Sequence, residues 1–135
     1  MVYLWVAIGG ALGSMARFWL ANMMAIATGA DFPWGTLLIN VIGSFVISFF
    51  GVLTGTSTRF AVPYEARIFV TVGLCGGFTT FSSFSLQTVE LARTGQTGRA
   101  ALYVAGSLVL CIGACTLGFF SAMAVNNTVG GTRAG

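Results

Sequence analysis

Gly73-Leu-Cys-Gly-Gly-Phe-Thr-Thr-Phe-Ser-Ser-Phe-Ser85 decides how the rest of the chain is read. The stretch lies inside a hydrophobic segment long enough to cross a bilayer, yet it has the composition of an interruption. Gly76 and Gly77 are adjacent and favour backbone outside a helix. Of the eight residues that follow, five carry hydroxyls: Thr79, Thr80, Ser82, Ser83 and Ser85. Phe78, Phe81 and Phe84 recur at every third position. Taken singly, such residues serve close helix packing in membranes. Packing alone does not call for paired glycines, a hydroxyl run and periodic aromatics at one depth. Non-helical backbone inside a membrane survives only where protein buries it or where it lines a wet cavity. A broken membrane helix also frees carbonyls and amides for an ion.

Composition supports a membrane setting for this stretch. Of 135 residues, 56% are hydrophobic and 7% charged, with mean hydropathy +0.92. Soluble domains carry about 25% charge. Histidine and lysine are absent, and the three acids, Asp31, Glu65 and Glu90, are far apart. That leaves no carboxylate pair for acid–base catalysis and no histidine metal site. The six arginines are scattered, so the net charge of +3 does not outline a nucleic-acid surface. Cys75, Cys111 and Cys115 all fall in apolar stretches, and their odd number argues for packing rather than a disulfide framework. The N-terminus lacks a basic leader, and its apolar run is read as a retained first span.

Working outward, the sequence reads as an all-α integral membrane protein with four transmembrane helices in a single domain, residues 1–125. A tail over 126–135, rich in Gly, Thr and Asn, is expected to be disordered. The first span covers about Val2 to Ala27. Gly9, Gly10, Gly13, Ser14 and Ala16 give it a small-residue face. Arg17 is an intramembrane cation and so a functional candidate. Its guanidinium is expected to hold carbonyls freed by the interruption. After a loop over Thr28 to Pro33, the second span covers about Trp34 to Leu53, with Thr36 and Asn40 on one face at i, i+4. Asn40 is the most polar side chain near mid-span. Its amide serves either an interhelical hydrogen bond or an anion path. A hydrophilic connector over Thr54 to Arg67 leads to the third span, about Ile68 to Ala92, broken at mid-membrane. The fourth, about Ala100 to Val125, follows a short loop over Arg93 to Arg99. It carries Tyr103, Ser107 and Cys111 along one face.

Loop arginines set membrane orientation. Arg59, Arg67 and Arg133 fall on one side, Arg93 and Arg99 on the other, three against two. So even a balance predicts insertion both ways up and pairing with an inverted copy. Four helices of this length make a solid bundle, so any conducted species is expected to pass between subunits.

The stretch Gly76-Gly-Phe-Thr-Thr-Phe-Ser-Ser-Phe-Ser85 resembles the Fluc, or CrcB, family of fluoride channels. Three further runs agree in order: Gly10-Ala-Leu-Gly-Ser-Met-Ala-Arg-Phe18, Trp34-Gly-Thr-Leu-Leu-Ile-Asn40 and Tyr103-Val-Ala-Gly-Ser107. The resemblance covers all four spans. It implies an antiparallel, dual-topology homodimer in the inner (plasma) membrane that exports fluoride passively through twin pores. It also implies a central structural sodium ion. Mapped onto this chain, Phe81 and Phe84 resemble the pore phenylalanines, Asn40 the pore asparagine, and Tyr103 and Ser107 a polar track. Thr80 and Ser83 are expected to supply hydroxyls to the pore lining. Backbone carbonyls of Gly76 and Thr79 match the sodium positions, and Arg17 and Gln87 match supporting residues. Two departures stand out. Gln87 occupies a position where relatives often carry glutamate, and Cys111 stands where a hydroxyl residue can continue the track.

A four-span multidrug exporter is the main rival reading, but it needs a carboxylate within the first or second span, and neither has one. A non-transporting assembly subunit held by its glycine faces is the other. No nucleophile–base pair points to an enzyme.

Overall fold

The computed structural model describes residues 1–29, 31–56 and 58–130. It is helical, with no strand among the described residues. Helix α1 spans Val2–Thr28 and α2 spans Trp34–Leu53. The third segment is composite: α3 (Tyr64–Ile68), a π-helical stretch (Phe69–Leu74), α4 (Cys75–Phe78) and α5 (Phe81–Arg93). Helix α6 spans Thr97–Gly130. Four stretches, Val2–Thr28, Trp34–Leu53, Tyr64–Arg93 and Thr97–Thr128, are long and apolar enough to span a membrane.

Helix boundaries follow local chemistry. Pro33 and Pro63 stand immediately before α2 and α3, where a missing N–H costs nothing. The third segment therefore starts at Tyr64, earlier than the onset of apolar sequence at Ile68. Gly29 and Gly95, both at φ 78, take the left-handed backbone that ends α1 and α5. Helix α6 runs on through Gly130, into the segment expected to be disordered. Asn126 there donates Nδ2–H to the Val52 carbonyl at 3.2 Å. Residues 131–135 of that expected tail lie outside the described residues.

Helix α2 packs along α6, and α1 packs against the π-helical stretch and α4. The second contact is a backbone-to-backbone approach. A Cβ on Gly9 would stand 2.6 Å from the Phe69 carbonyl oxygen and 2.9 Å from Gly73 Cα. A Cβ on Gly13 would collide with the Leu74 carbonyl, and one on Gly77 with the Gly10 carbonyl. In lipid, where apolar burial drives little association, such closeness supplies dispersion and weak Cα–H···O contact. Gly77, with Gly76, therefore differs from its sequence expectation. Both lie within α4, and Gly77 serves packing rather than departure from the helix.

Little of the apolar surface is covered within one chain. Only 11–22% of each candidate span is buried. Leu37, Leu91, Ala100 and Tyr103 form the buried cluster, with Phe32, Val41 and Phe84 packed on it. The remaining apolar surface suits lipid or a second protein surface.

Candidate functional site

The backbone departs from helix at Thr79 (φ −78, ψ 158) and Thr80 (φ −153, ψ 109). Two hydroxyl residues follow α4 here, and α5 begins afresh with its own cap. Thr80 Oγ1 accepts the Ser83 N–H at 3.1 Å, the ordinary threonine N-cap arrangement. Its hydroxyl donates to Ser83 Oγ at 3.0 Å.

Asn40 holds the extended residues from α2. Its Oδ1 accepts the Thr80 N–H at 2.8 Å, and its Nδ2 donates to the Thr80 carbonyl at 3.1 Å. One amide side chain thus satisfies both polar groups of Thr80, a part-buried backbone unit that would otherwise lack partners. Gly43, one turn along α2, leaves the room. A Cβ there would collide with Thr79 Cγ2.

The rearrangement redirects the hydrogen bonds of an unbroken helix, in which each carbonyl accepts from the N–H four residues on. Thr80 N–H would serve the Gly76 carbonyl but goes to Asn40. Ser83 N–H would serve the Thr79 carbonyl but goes to the Thr80 hydroxyl. The carbonyls of Gly76 and Thr79 are each deprived of that donor. Gly77 has a substitute. Arg17 Nε donates to its carbonyl at 3.1 Å, and Ser14 Oγ approaches at 3.4 Å. Arg17, the lone cation within α1, is thus occupied by backbone oxygen.

A cleft of about 310 Å³ opens beside these residues. It is lined by Asn40, Gly43 and Ser44 of α2, Thr79 and Thr80, Phe81 and Phe84 of α5, and Ser107 and Cys111 of α6, among others. Phe81 is 77% exposed, so this wall lies on the outside of the single chain. Its ring centroid is 5.5 Å from that of Phe84, and Phe84 lies 5.1 Å from Tyr103. Ser107 is buried, and its Oγ has no hydrogen-bond partner. A hydroxyl so placed carries a desolvation cost of about 1–3 kcal/mol unless something in the cleft bonds it.

Of the residues chosen from sequence, Asn40, Thr79, Thr80, Phe81, Phe84 and Ser107 meet in this cleft. Ser83 is not among the cleft-lining residues and accepts the Thr80 hydroxyl. Tyr103 is placed apart from these residues. It is fully buried, packed among Leu37, Leu91 and Ala100, and is not part of the cleft lining. Its hydroxyl donates to Gln87 Oε1 at 3.0 Å. Gln87 in turn lines a second cavity of about 450 Å³ at one end of the bundle, with Phe32, Thr36, Glu90 and Thr94. Sequence reasoning missed Gly43 and Ser44. The small pair follows Asn40 at i+3 and i+4, which would have marked space on its face.

The profile described as CrcB-like protein, Camphor Resistance (CrcB) matches residues 4–119. This chain belongs to the CrcB family. Among curated relatives, one from Methylocella silvestris is 57% identical over 96% of this chain and 99% of its own length. One from Opitutus terrae is 53% identical over 96% and 98%. One from Rhodospirillum rubrum is 52% identical over 96% and 100%. All three relatives are named fluoride-specific ion channel FluC, a channel rather than an enzyme.

Proposed function

We propose that this CrcB-family chain is a multi-pass membrane channel for fluoride, letting the ion leave the cell passively down its electrochemical gradient. The observation that carries the reading is the cleft. Its lining combines amide and hydroxyl side chains with the rings of Phe81 and Phe84 and contains no formal charge. Fluoride is small and tightly hydrated, so a narrow path has to replace water with N–H and O–H donors. Ser107 lines the cleft, and its buried Oγ has no partner within the chain, which leaves it as a donor for the ion in this reading. Aromatic edges carry partial positive charge, so Phe81 and Phe84 add weak attraction. Weak contacts in series suit conduction, because a firm site holds its ion.

The outward position of Phe81 supports a path completed by a second copy. In this reading two inverted copies pair in the inner membrane, enclose twin pores, and set their Thr79–Thr80 interruptions back to back at mid-membrane. The end cavity beside Gln87 serves as a vestibule. A central sodium ion fits the donor set. The Gly76 and Thr79 carbonyls lack their helical donors and are hard oxygen ligands for a hard cation. When bound, the ion supplies positive potential near the path, while Asn40 and Arg17 fix the surrounding backbone. Both have their own partners in this arrangement. No carboxylate is among the cleft-lining residues to exchange protons for a cationic drug.

The test is made in cells lacking their own fluoride exit. After loading, internal fluoride followed by ¹⁹F NMR should fall in cells expressing this chain and stay high in cells without it. Equal retention in both would refute the reading. A loss that stops when the membrane potential is collapsed, with no outward gradient remaining, is the signature of passive flow.

A further inference from the structure

We propose that Cys111 is a modification site for thiophilic electrophiles within the conducting cleft, and that its derivatisation shuts the channel. The inference rests on the reading of the cleft as the fluoride path. Cys111 lies one helical turn from Ser107 on α6, on the same face. Both line the cleft of about 310 Å³, and Cys111 is partly buried there. Ser107 beside it is 7% exposed, and its buried Oγ has no partner within the chain, so a polar group of the cleft wall is left for an occupant rather than bonded by protein. Ser44 and Ile47 of α2 also line the cleft, so a group attached to the sulfur enters space shared by both helices.

The other cysteines are differently placed. Cys75 is buried at 3% exposure, and Cys115 is exposed on α6; neither is part of the cleft lining. Burial protects the first, while an adduct on the second leaves the cleft open. Reactivity belongs to the thiolate. With a methanethiosulfonate, the Cys111 thiolate sulfur attacks the reagent's sulfenyl sulfur. A new S–S bond forms, and methanesulfinate leaves with the electron pair of the broken bond. The thiol proton goes to water in the cleft.

Purified protein in liposomes is treated with methanethiosulfonate ethyltrimethylammonium, and fluoride efflux is followed with an electrode. Untreated protein should conduct. Treated protein should fall to the level of protein-free vesicles and recover with dithiothreitol. Cys111→Ser and Cys111→Ala, each compared with its own untreated rate, should be unaffected by the reagent, and Cys115→Ser should remain fully sensitive. Peptide mass spectrometry should find the adduct on Cys111. Conduction unchanged by the reagent, whether Cys111 is labelled or unlabelled, overturns the proposal, as does equal inhibition of both Cys111 variants. Absence of fluoride efflux before treatment instead overturns the channel reading on which it stands.

Discussion

Asn40 uses both ends of its amide on the backbone of Thr80. Asn40→Ala removes both bonds at once and leaves a part-buried N–H and C=O unpaired, a cost of about 1–3 kcal/mol per group. The expected result is a lower melting temperature in detergent together with loss of fluoride flux. Unchanged flux in a folded variant would show that conduction does not need the hold of Asn40 on Thr80. Gln87 poses a separate question. Its Oε1 accepts the Tyr103 hydroxyl, a bond that a carboxylate can also accept. Gln87→Glu therefore keeps the fold and adds a negative charge beside the vestibule. At 4 Å in water-like surroundings that repulsion is about 1 kcal/mol, or a roughly fivefold fall in fluoride flux. Melting temperature should stay unchanged, and flux at the wild-type level would place fluoride elsewhere. At this scale the sequence was readable where chemistry forces an outcome. An arginine in an apolar span has to find oxygens, and Arg17 does so at Gly77. It was not readable for Tyr103. Its helical spacing with Ser107 and Cys111 marks a face, but a bulky ring is drawn into the core formed by Leu37, Leu91 and Ala100.

Helix packing explains why the glycine pair misled as a marker of non-helical backbone. The residues outside helix are Thr79 and Thr80, while Gly76 and Gly77 remain in α4. A glycine signals both flexible backbone and close approach, and only a partner helix decides between them. Here α1 decides, through Gly10 and Gly13. Two variants separate the roles. Gly77→Ala puts a methyl against the Gly10 backbone, which cannot yield as a side-chain tip would. It should destabilise by about 1–3 kcal/mol, read as a lower unfolding midpoint in detergent. Gly76→Ala meets nothing within 4 Å in the single chain and should leave the monomer's unfolding midpoint unchanged. Equal loss in both variants would contradict the packing role of Gly77. The helices themselves were legible as four long apolar runs. Their ends were less so, because Tyr64 starts a helix by following Pro63, whatever the hydropathy of the residues around it.

On the scale of the whole molecule, one chain leaves Phe81 and most of its apolar faces uncovered. The cleft opens on the outside of the single chain at Phe81, and a closed path needs a facing surface. Cysteine crosslinking at Phe81 in an otherwise cysteine-free protein should trap a dimer if two inverted copies supply facing walls, and only monomer on denaturing gels would contradict that pairing. The most direct measurement is ion release from liposomes of purified protein loaded with equal fluoride and chloride, with potassium and valinomycin setting the driving force. The expected trace shows fluoride leaving rapidly while chloride stays inside. Retention of both ions, or their release at equal rates, would contradict a fluoride path along the Asn40–Thr80 cleft.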